Sequence, residues 1–301
     1  MLKETRRDIN AKTAANVFVC LIFIIILLSL ILDVAKLDTG NIWIQSCVIL
    51  VQYSLFFGVF MLFSRMAGIK RGGAFDTYRV KKPSSFRDVF TVILTACICI
   101  VSFLLVTSIS IEFFKWIGYS EPGGDIPITN FGTYVLFVFL LCVLPAIIEE
   151  LLFRGIILKG LMEFGKIKAM VASAVLFSFF HLSPAQTVYQ FVLGLVLAAV
   201  FFSSGNLVYS MILHFINNFA IITYTYITGD PAQSIMFNPW TILTTIFLAV
   251  FGVALIVGLV KALKRDTDFQ FDKKKFFSFE NLSYFVCLIL ATLIWGIQFV
   301  G

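Results

Sequence analysis

The side chains best suited to chemistry are concentrated in a few hydrophobic stretches of this sequence. Both histidines of the chain lie in such stretches, as do three further ionisable residues; the five are Glu149, Glu150, Arg154, His181 and His214. An ionisable side chain near the centre of a membrane-spanning helix costs at least ~2.5–3.5 kcal/mol on insertion scales, so residues of this kind are functional candidates by default. A random scatter would not concentrate the ionisable residues in this way.

Helical spacing assigns different roles to the two adjacent glutamates. Glu150 and Arg154 are four residues apart, so they lie on one helix face in the order that favours an ion pair. Glu149 lies about 100° around the helix from Glu150 and does not share this partner. A carboxylate without an ionic partner can serve as a general base. The alternative is that both glutamates are structural and pack against lysines of nearby loops.

His181 ends a hydrophobic stretch, four residues after Phe177 and on the same helix face. A hairpin that turns near Gly165 would bring His181 to the depth of Glu149, because each lies 16 residues from that glycine. The alternative is a histidine that only hydrogen-bonds a backbone carbonyl within the membrane. The common depth favours a place in the site.

His214 and Asn218 are also four residues apart, and Asn217 is close enough in spacing to reach the same face. His214 follows Asn206 by eight residues, roughly 12 Å along a helix, which places it inside the bilayer. A carboxylate, two imidazoles and an amide from three helices can therefore converge in the membrane.

Such a set of side chains can activate a water molecule and stabilise an oxyanion. It can equally hold a metal ion, with Glu149, His181 and His214 as ligands, as in many zinc hydrolases. The sequence has no HExxH motif, no GxSxG motif and no glycine-rich phosphate loop. The zincin, α/β-hydrolase and P-loop classes are therefore excluded.

The composition indicates the elements that must position these residues. Hydrophobic residues make up 60% of the 301 residues and charged residues only 13%, whereas a soluble protein has about 25% charged residues. So little charge cannot cover a water-facing surface, which excludes a disordered chain, a disulfide scaffold and a soluble nucleic-acid binder. The formal net charge of +6 is explained by basic loops at a membrane surface. The sequence predicts an all-α, polytopic transmembrane helical bundle.

Hydropathy predicts eight to nine membrane spans, each a stretch of about 20 mostly apolar residues. The nine candidates are 16–35, 43–63, 89–111, 132–154, 167–182, 185–203, 206–225, 240–260 and 281–300. The count is weakest at 167–203, where the predicted turn is short. We divide the chain into three parts: N-terminal transmembrane helices with three spans at 1–129, a catalytic core at 130–225, and C-terminal transmembrane helices at 226–301.

The distribution of lysine and arginine predicts the orientation in the membrane. Both are concentrated in the loops at 64–88 and 261–280, which we expect in the cytoplasm. The loops at 112–131 and 226–239 should be external. With nine crossings the N-terminus is inside and the C-terminus outside. We expect an integral membrane protein in the plasma membrane of a bacterium.

Three short motifs, in this order, resemble those of a known family. They are Glu149-Glu150-x-x-x-Arg154, Phe177-x-x-x-His181 and His214-x-x-x-Asn218. Together they resemble the motifs of the CAAX protease and bacteriocin-processing family of intramembrane peptidases, also called the CPBP or Abi family. The resemblance covers roughly residues 130–225, about a third of the chain. It implies an all-helical membrane core of about eight helices, to which the span at 281–300 would add a ninth.

The resemblance implies an intramembrane endopeptidase similar to the CAAX prenyl proteases. On that basis Glu149 would activate the attacking water, and His181 would help to hold that water or a metal ion. His214 and Asn218 would complete the site, with Asn218 suited to the oxyanion. Members of the family are catalogued as metallopeptidases, yet both a zinc ion held by Glu149, His181 and His214 and a metal-free mechanism are consistent with these side chains.

The same resemblance gives Glu150 and Arg154 a structural role as a brace for the helix. The implied partners are a hydrophobic peptide or membrane-associated protein substrate and the lipid bilayer, with no nucleic acid. A second interpretation is a non-catalytic peptide-binding or bacteriocin-immunity protein on the same fold. A third is a secondary transporter with a proton relay, which the lack of two matched halves in the sequence disfavours.

Overall fold

The computed structural model is all-α. It describes residues 9–38, 40–119, 128–229, 239–263 and 269–272, together with Lys274 and five positions between 289 and 296. Within these ranges the chain forms helices and loops and contains no strand. The predicted all-helical class is therefore confirmed.

Eight helices of 15 residues or more carry the architecture of the described part of the chain. They are α1 (Ala11–Val34), α2 (Ile42–Met66), α3 (Phe86–Trp116), α4 (Phe131–Phe164), α5 (Lys166–Phe180), α6 (Pro184–Ser204), α7 (Leu207–Thr228) and α8 (Pro239–Ala262). Each overlaps one of the first eight predicted spans. The ninth, at 281–300, lies outside the described residues except for the five positions noted above.

Five of these helices are long and apolar enough to cross a membrane, namely α1, α2, α4, α6 and α7. This finding supports an integral membrane protein, while the count of eight to nine spans stays a prediction. Helix α5 is shorter than the full span predicted at 167–182. It has 15 residues and is therefore about 22 Å long, which is shorter than the ~30 Å hydrocarbon core.

The turn that joins α5 to α6 follows from this short length. If α5 begins at the membrane surface, its end at Phe180 and the turn that follows lie within the bilayer. Leu182 in this turn has a φ of +49°, in the left-handed region that a non-glycine residue adopts at a cost in energy. Irregular backbone at membrane depth is tolerated where protein or a water-filled cavity surrounds it. His181 stands in this turn.

Helices α5 and α6 form a closely packed hairpin because small residues meet at their crossing. A Cβ atom at Gly194 would lie 3.0 Å from the Cα of Ala174, so a larger residue would force the two helices apart. Helix α6 also packs against α3 and α7, and α2 packs against α1 and α4. The α4–α7 region thus lies between two flanking groups of helices.

Polar caps begin several of these apolar helices. In each case a side-chain oxygen accepts a hydrogen bond from a backbone N–H of the first turn; the capping residues are Asn10, Asn41, Ser85, Asn130 and Asn206. Each cap satisfies a donor that has no partner within the helix. The residue at which each of these helices begins is therefore determined by its cap as well as by hydropathy.

Helix α4 is not regular along its length. The α-helical segment Leu144–Glu150 lies between two wider π-helical segments, Phe139–Val143 and Leu151–Ile157. Such π segments often mark functional sites. Pro145 has no N–H and cannot donate to the carbonyl of Leu141, four residues earlier, which explains the first of them.

Loops fasten the end of the bundle at which α4 meets α5. The side chain of Asn206 donates to the carbonyl oxygen of Lys81 at 3.0 Å, which joins the α2–α3 loop to the start of α7. Glu163 near the end of α4 pairs with Lys274 at 3.2 Å. These contacts link segments that are far apart in the sequence at this end of the bundle.

Candidate active site

The candidate residues come from three helices; those on α4 and His214 are buried, whereas His181 and Asn218 are partly exposed. Glu149 and Glu150 end the α-helical segment of α4, His181 follows the last residue of α5, and His214 and Asn218 lie on α7. The exposed fractions of Glu149, Glu150 and His214 are 3%, 0% and 1%. The carboxylates and this imidazole are thus removed from bulk solvent.

Glu150 and Arg154 form a fully buried ion pair. The Arg154 Nη1 donates to Glu150 Oε1 at 2.7 Å, and neither side chain is exposed. The Arg154 Nη2 donates to the carbonyl oxygen of Gly194 on α6 at 3.2 Å. Its guanidinium also lies 4.5 Å from the centre of the Phe177 ring on α5. One arginine therefore links α4, α5 and α6, and its contact with Glu150 is the one that the four-residue spacing predicts.

His214 is held by Glu150 rather than by Glu149. The His214 Nδ1 lies 2.9 Å from Glu150 Oε1. Because that oxygen also accepts from the Arg154 cation, it is an ionised acceptor, and Nδ1 must carry the donated proton. The other ring nitrogen of a neutral imidazole then has a lone pair. This Nε2 lies 4.0 Å from Glu149 Oε2.

Glu149 has a partner that helical spacing in the sequence does not reveal. The hydroxyl of Tyr53, on α2, donates to Glu149 Oε1 at 2.7 Å. The second carboxylate oxygen, Oε2, is buried and has no hydrogen-bond partner among the described residues. Helical spacing separates Glu149 from Arg154, but it cannot reveal a partner 96 residues earlier in the chain.

His181 is connected to the other imidazole through an aromatic ring. Its Nδ1 lies 2.8 Å from the carbonyl oxygen of Phe177, and because a carbonyl only accepts, Nδ1 donates and Nε2 keeps a lone pair. The Phe177 ring packs edge to face against His181 at 4.9 Å and against His214 at 5.8 Å. The hydrogen bond to a carbonyl is the alternative considered for His181, and it leaves Nε2 available for chemistry.

Asn218 is oriented by hydrogen bonds at both ends of its amide. Its Nδ2 donates to the carbonyl oxygen of Leu141 at 3.0 Å, and its Oδ1 accepts from Asn217 Nδ2 at 3.1 Å. Asn217 in turn accepts from the hydroxyl of Tyr189 on α6. The Leu141 carbonyl is the one to which Pro145 cannot donate. One of the two Asn218 N–H groups therefore has a fixed partner, and the other has no hydrogen-bond partner among the described residues.

The zinc ligands suggested by the sequence do not fit a metal ion as they are arranged here. A tetrahedral ion with bonds of about 2.0–2.2 Å would bring its ligand atoms to about 3.4 Å from each other, but the Glu149 and His214 atoms are 4.0 Å apart. No group of three His, Cys, Asp or Glu side chains in the described part of the chain is placed to hold a metal. The chemistry that this arrangement supports is that of its own side chains.

Comparison with known proteins gives one family. Residues 131–220 match the family model described as "Type II CAAX prenyl endopeptidase Rce1-like", which confirms the resemblance drawn from the three motifs. Comparisons with curated proteins and with solved structures give no significant match. The matched segment contains α4, α5 and α6 entire and most of α7, and thus all six candidate residues.

Proposed function

We propose that this protein is an intramembrane endopeptidase that hydrolyses a peptide bond with a water molecule activated by Glu149. The observation that carries the proposal is the 4.0 Å separation between Glu149 Oε2 and His214 Nε2, both buried. This separation is too long for a direct hydrogen bond. It suits one water molecule that donates a proton to each atom through bonds of about 2.8 Å.

The neighbouring residues fit this role. Glu150 accepts from Nδ1 of His214 and thereby directs the lone pair of Nε2 towards Glu149. Arg154 neutralises Glu150, so the acid at position 150 orients the imidazole and does not compete as a base. A carboxylate that has no arginine or lysine partner in the site remains at Glu149, which is the condition for a general base.

The proposed reaction balances without a cofactor. Glu149 Oε2 takes one proton from the water, and the water oxygen bonds to the scissile carbonyl carbon. The resulting oxyanion accepts a hydrogen bond from the second N–H of Asn218, and removal of one such donor typically lowers the rate by ~10²–10³-fold. Glu149 then gives its proton to the leaving amine nitrogen as the carbon–nitrogen bond breaks. We assign to His181 a role in holding the water, in which the lone pair of its Nε2 accepts a hydrogen bond from the second water proton in place of His214 Nε2.

The proposed substrate is a hydrophobic peptide or a membrane-associated protein whose scissile bond reaches the bilayer interior. The family description names a prenyl endopeptidase of CAAX proteins, and a prenylated C-terminal peptide is therefore the first substrate to test. Five apolar helices support location in a membrane, and we propose the bacterial plasma membrane suggested by the sequence.

The proposal is tested with purified protein in lipid nanodiscs and a prenylated peptide, with mass spectrometry of the products. Glu149→Gln keeps the shape of the side chain and its bond from Tyr53 but cannot accept a proton. We expect its kcat to fall by ~10²–10⁴-fold, the usual contribution of a general base. Glu163→Gln is the matched control, because Glu163 lies on the same helix and pairs with Lys274 away from the site.

Two outcomes would oppose the proposal. Cleavage by Glu149→Gln at the wild-type rate would remove Glu149 as the base. Tight binding of peptides by the wild-type protein without any cleavage would favour the non-catalytic peptide-binding protein on the same fold.

A further inference from the structure

The N-terminal helices contribute a polar side chain to the site from outside the segment that matches the family model. Tyr53 lies in the middle of α2, and its side chain is 8% exposed. Its hydroxyl donates to Glu149 Oε1 at 2.7 Å. A buried tyrosine hydroxyl is expected to have a partner, but here the partner is the proposed catalytic base.

We propose that Tyr53 is a positioning residue that makes Oε2 the basic oxygen of Glu149. A carboxylate has two equivalent oxygens and can rotate about the bond that carries them. The hydrogen bond from Tyr53 occupies Oε1 and fixes this rotation, so that Oε2 is the atom that lies 4.0 Å from His214 Nε2. The inference rests on the proposed function of Glu149.

The surroundings of Tyr53 hold its ring in place. It packs edge to face against Phe56 on the same helix, with ring centres 5.7 Å apart. Phe56 lies 5.5 Å from Phe180 at the end of α5, and Phe180 lies 5.5 Å from His181. These four rings form a continuous row from the partner of Glu149 to the second imidazole. Helix α2 is thus held against the turn that carries His181.

Charge also favours this arrangement over a purely structural contact. A hydrogen bond from a neutral hydroxyl to an ionised carboxylate is stronger than one between neutral groups. It stabilises the form of Glu149 that can accept a proton, and it does so without placing a cation next to the base. A lysine or arginine at position 53 would form an ion pair with Glu149 and make it a weaker base.

The experiment compares Tyr53→Phe with Tyr209→Phe in the peptide cleavage assay. Both changes remove one hydroxyl from a buried tyrosine, and the Tyr209 hydroxyl contacts Ser84 and Asp88, outside the site. We expect Tyr53→Phe to lower kcat by about 10- to 100-fold, as follows from the strength of a hydrogen bond to a charged group, with little change in KM. Tyr209→Phe should retain the wild-type kcat.

A rescue separates positioning from stability. Replacement of Tyr53 by 4-aminophenylalanine restores an N–H donor at the same place and should recover most of the lost kcat, whereas a variant that only lacks packing would not respond. All rates are expressed per folded protein, taken from the monodisperse fraction on size exclusion. In a Glu149→Gln background, Tyr53→Phe should cause no further loss of kcat, because the base is already absent.

The results distinguish the two proposals. If the wild-type protein cleaves the peptide and Tyr53→Phe behaves like Tyr209→Phe, the inference about Tyr53 is wrong while the proposed function stands. The inference is also wrong if Tyr53→Phe lowers kcat as expected but 4-aminophenylalanine at position 53 does not restore it. If the wild-type protein cleaves no peptide, the proposed function fails and the role of Tyr53 fails with it.

Discussion

Removal of the Arg154 cation should reveal how the site is stabilised. In Arg154→Met the methionine fills much of the same space, but Glu150 remains, with 0% of its side chain exposed. Its remaining contact in the site is Nδ1 of His214 at 2.9 Å. The carbonyl oxygen of Gly194 also loses a donor. The variant therefore leaves a buried charge that is no longer balanced.

The magnitude follows from these contacts. Breaking a buried ion pair by removing one partner costs ~3–5 kcal/mol, because the other charge stays buried. In the double variant Glu150→Gln/Arg154→Met both charges are absent, and the glutamine oxygen can still accept from His214. We expect the double variant to regain at least ~2 kcal/mol of the stability lost in Arg154→Met, since neutral replacement of a buried pair is often close to neutral.

The assay is unfolding of the purified protein in mixed micelles with increasing SDS, together with the temperature at which the monodisperse fraction is lost. Arg65→Met is the control, because Arg65 is exposed at the end of α2 and its loss should change stability by no more than about 0.5 kcal/mol. Two results would refute the reasoning. One is an Arg154→Met protein as stable as the wild type, and the other is a double variant no more stable than the single one. Activity is a separate readout: if Arg154→Met folds normally but does not cleave the peptide, Arg154 has a direct catalytic role.

Three further predictions concern the oxyanion, the metal and the topology. Asn218→Ala should lower kcat by ~10²–10³-fold in steady-state assays through the loss of one oxyanion donor; a change of less than twofold would remove it from the mechanism. Treatment with 1,10-phenanthroline should leave the cleavage rate unchanged, and inhibition that added zinc reverses would contradict the donor geometry described above. In intact cells a cysteine at Lys70→Cys should resist a membrane-impermeant maleimide, whereas labelling from outside would contradict the predicted orientation of the 64–88 loop.

Much of the fold is visible in the hydropathy of the sequence. The apolar stretches locate α1 to α8 because a helix is the form in which a single segment satisfies its own backbone in lipid. Their ends are less predictable. Helix α4 continues ten residues past the predicted end at residue 154, through Lys159 and Glu163. Hydropathy reports which residues lie in hydrocarbon, while hydrogen bonds and caps decide where a helix ends.

Short-range spacing predicts the contact of Glu150 with Arg154 but not the contacts between helices. The i, i+4 rule gives the face on which a side chain lies and says nothing about which helix covers that face. It therefore gives no indication that His214 contacts Glu150 or that Tyr53 contacts Glu149. The π-helical segments limit the i, i+4 rule further, because an extra residue in a turn rotates all later side chains around the helix axis. Pro145 was the one sequence signal for such a segment.

The assignment of the base finally depends on how the fold distributes its charges. Both glutamates have an Oε2 that is buried without a hydrogen-bond partner among the described residues. Glu150 lies 2.7 Å from a guanidinium, so its negative charge is balanced by a cation. Glu149 has a neutral hydroxyl at 2.7 Å and an imidazole at 4.0 Å. A general base must hold a proton for part of the reaction, and Glu149, the carboxylate without an arginine partner, is the one that can do so. The neighbouring ion pair of Glu150 and Arg154 keeps the imidazole of His214 facing Glu149.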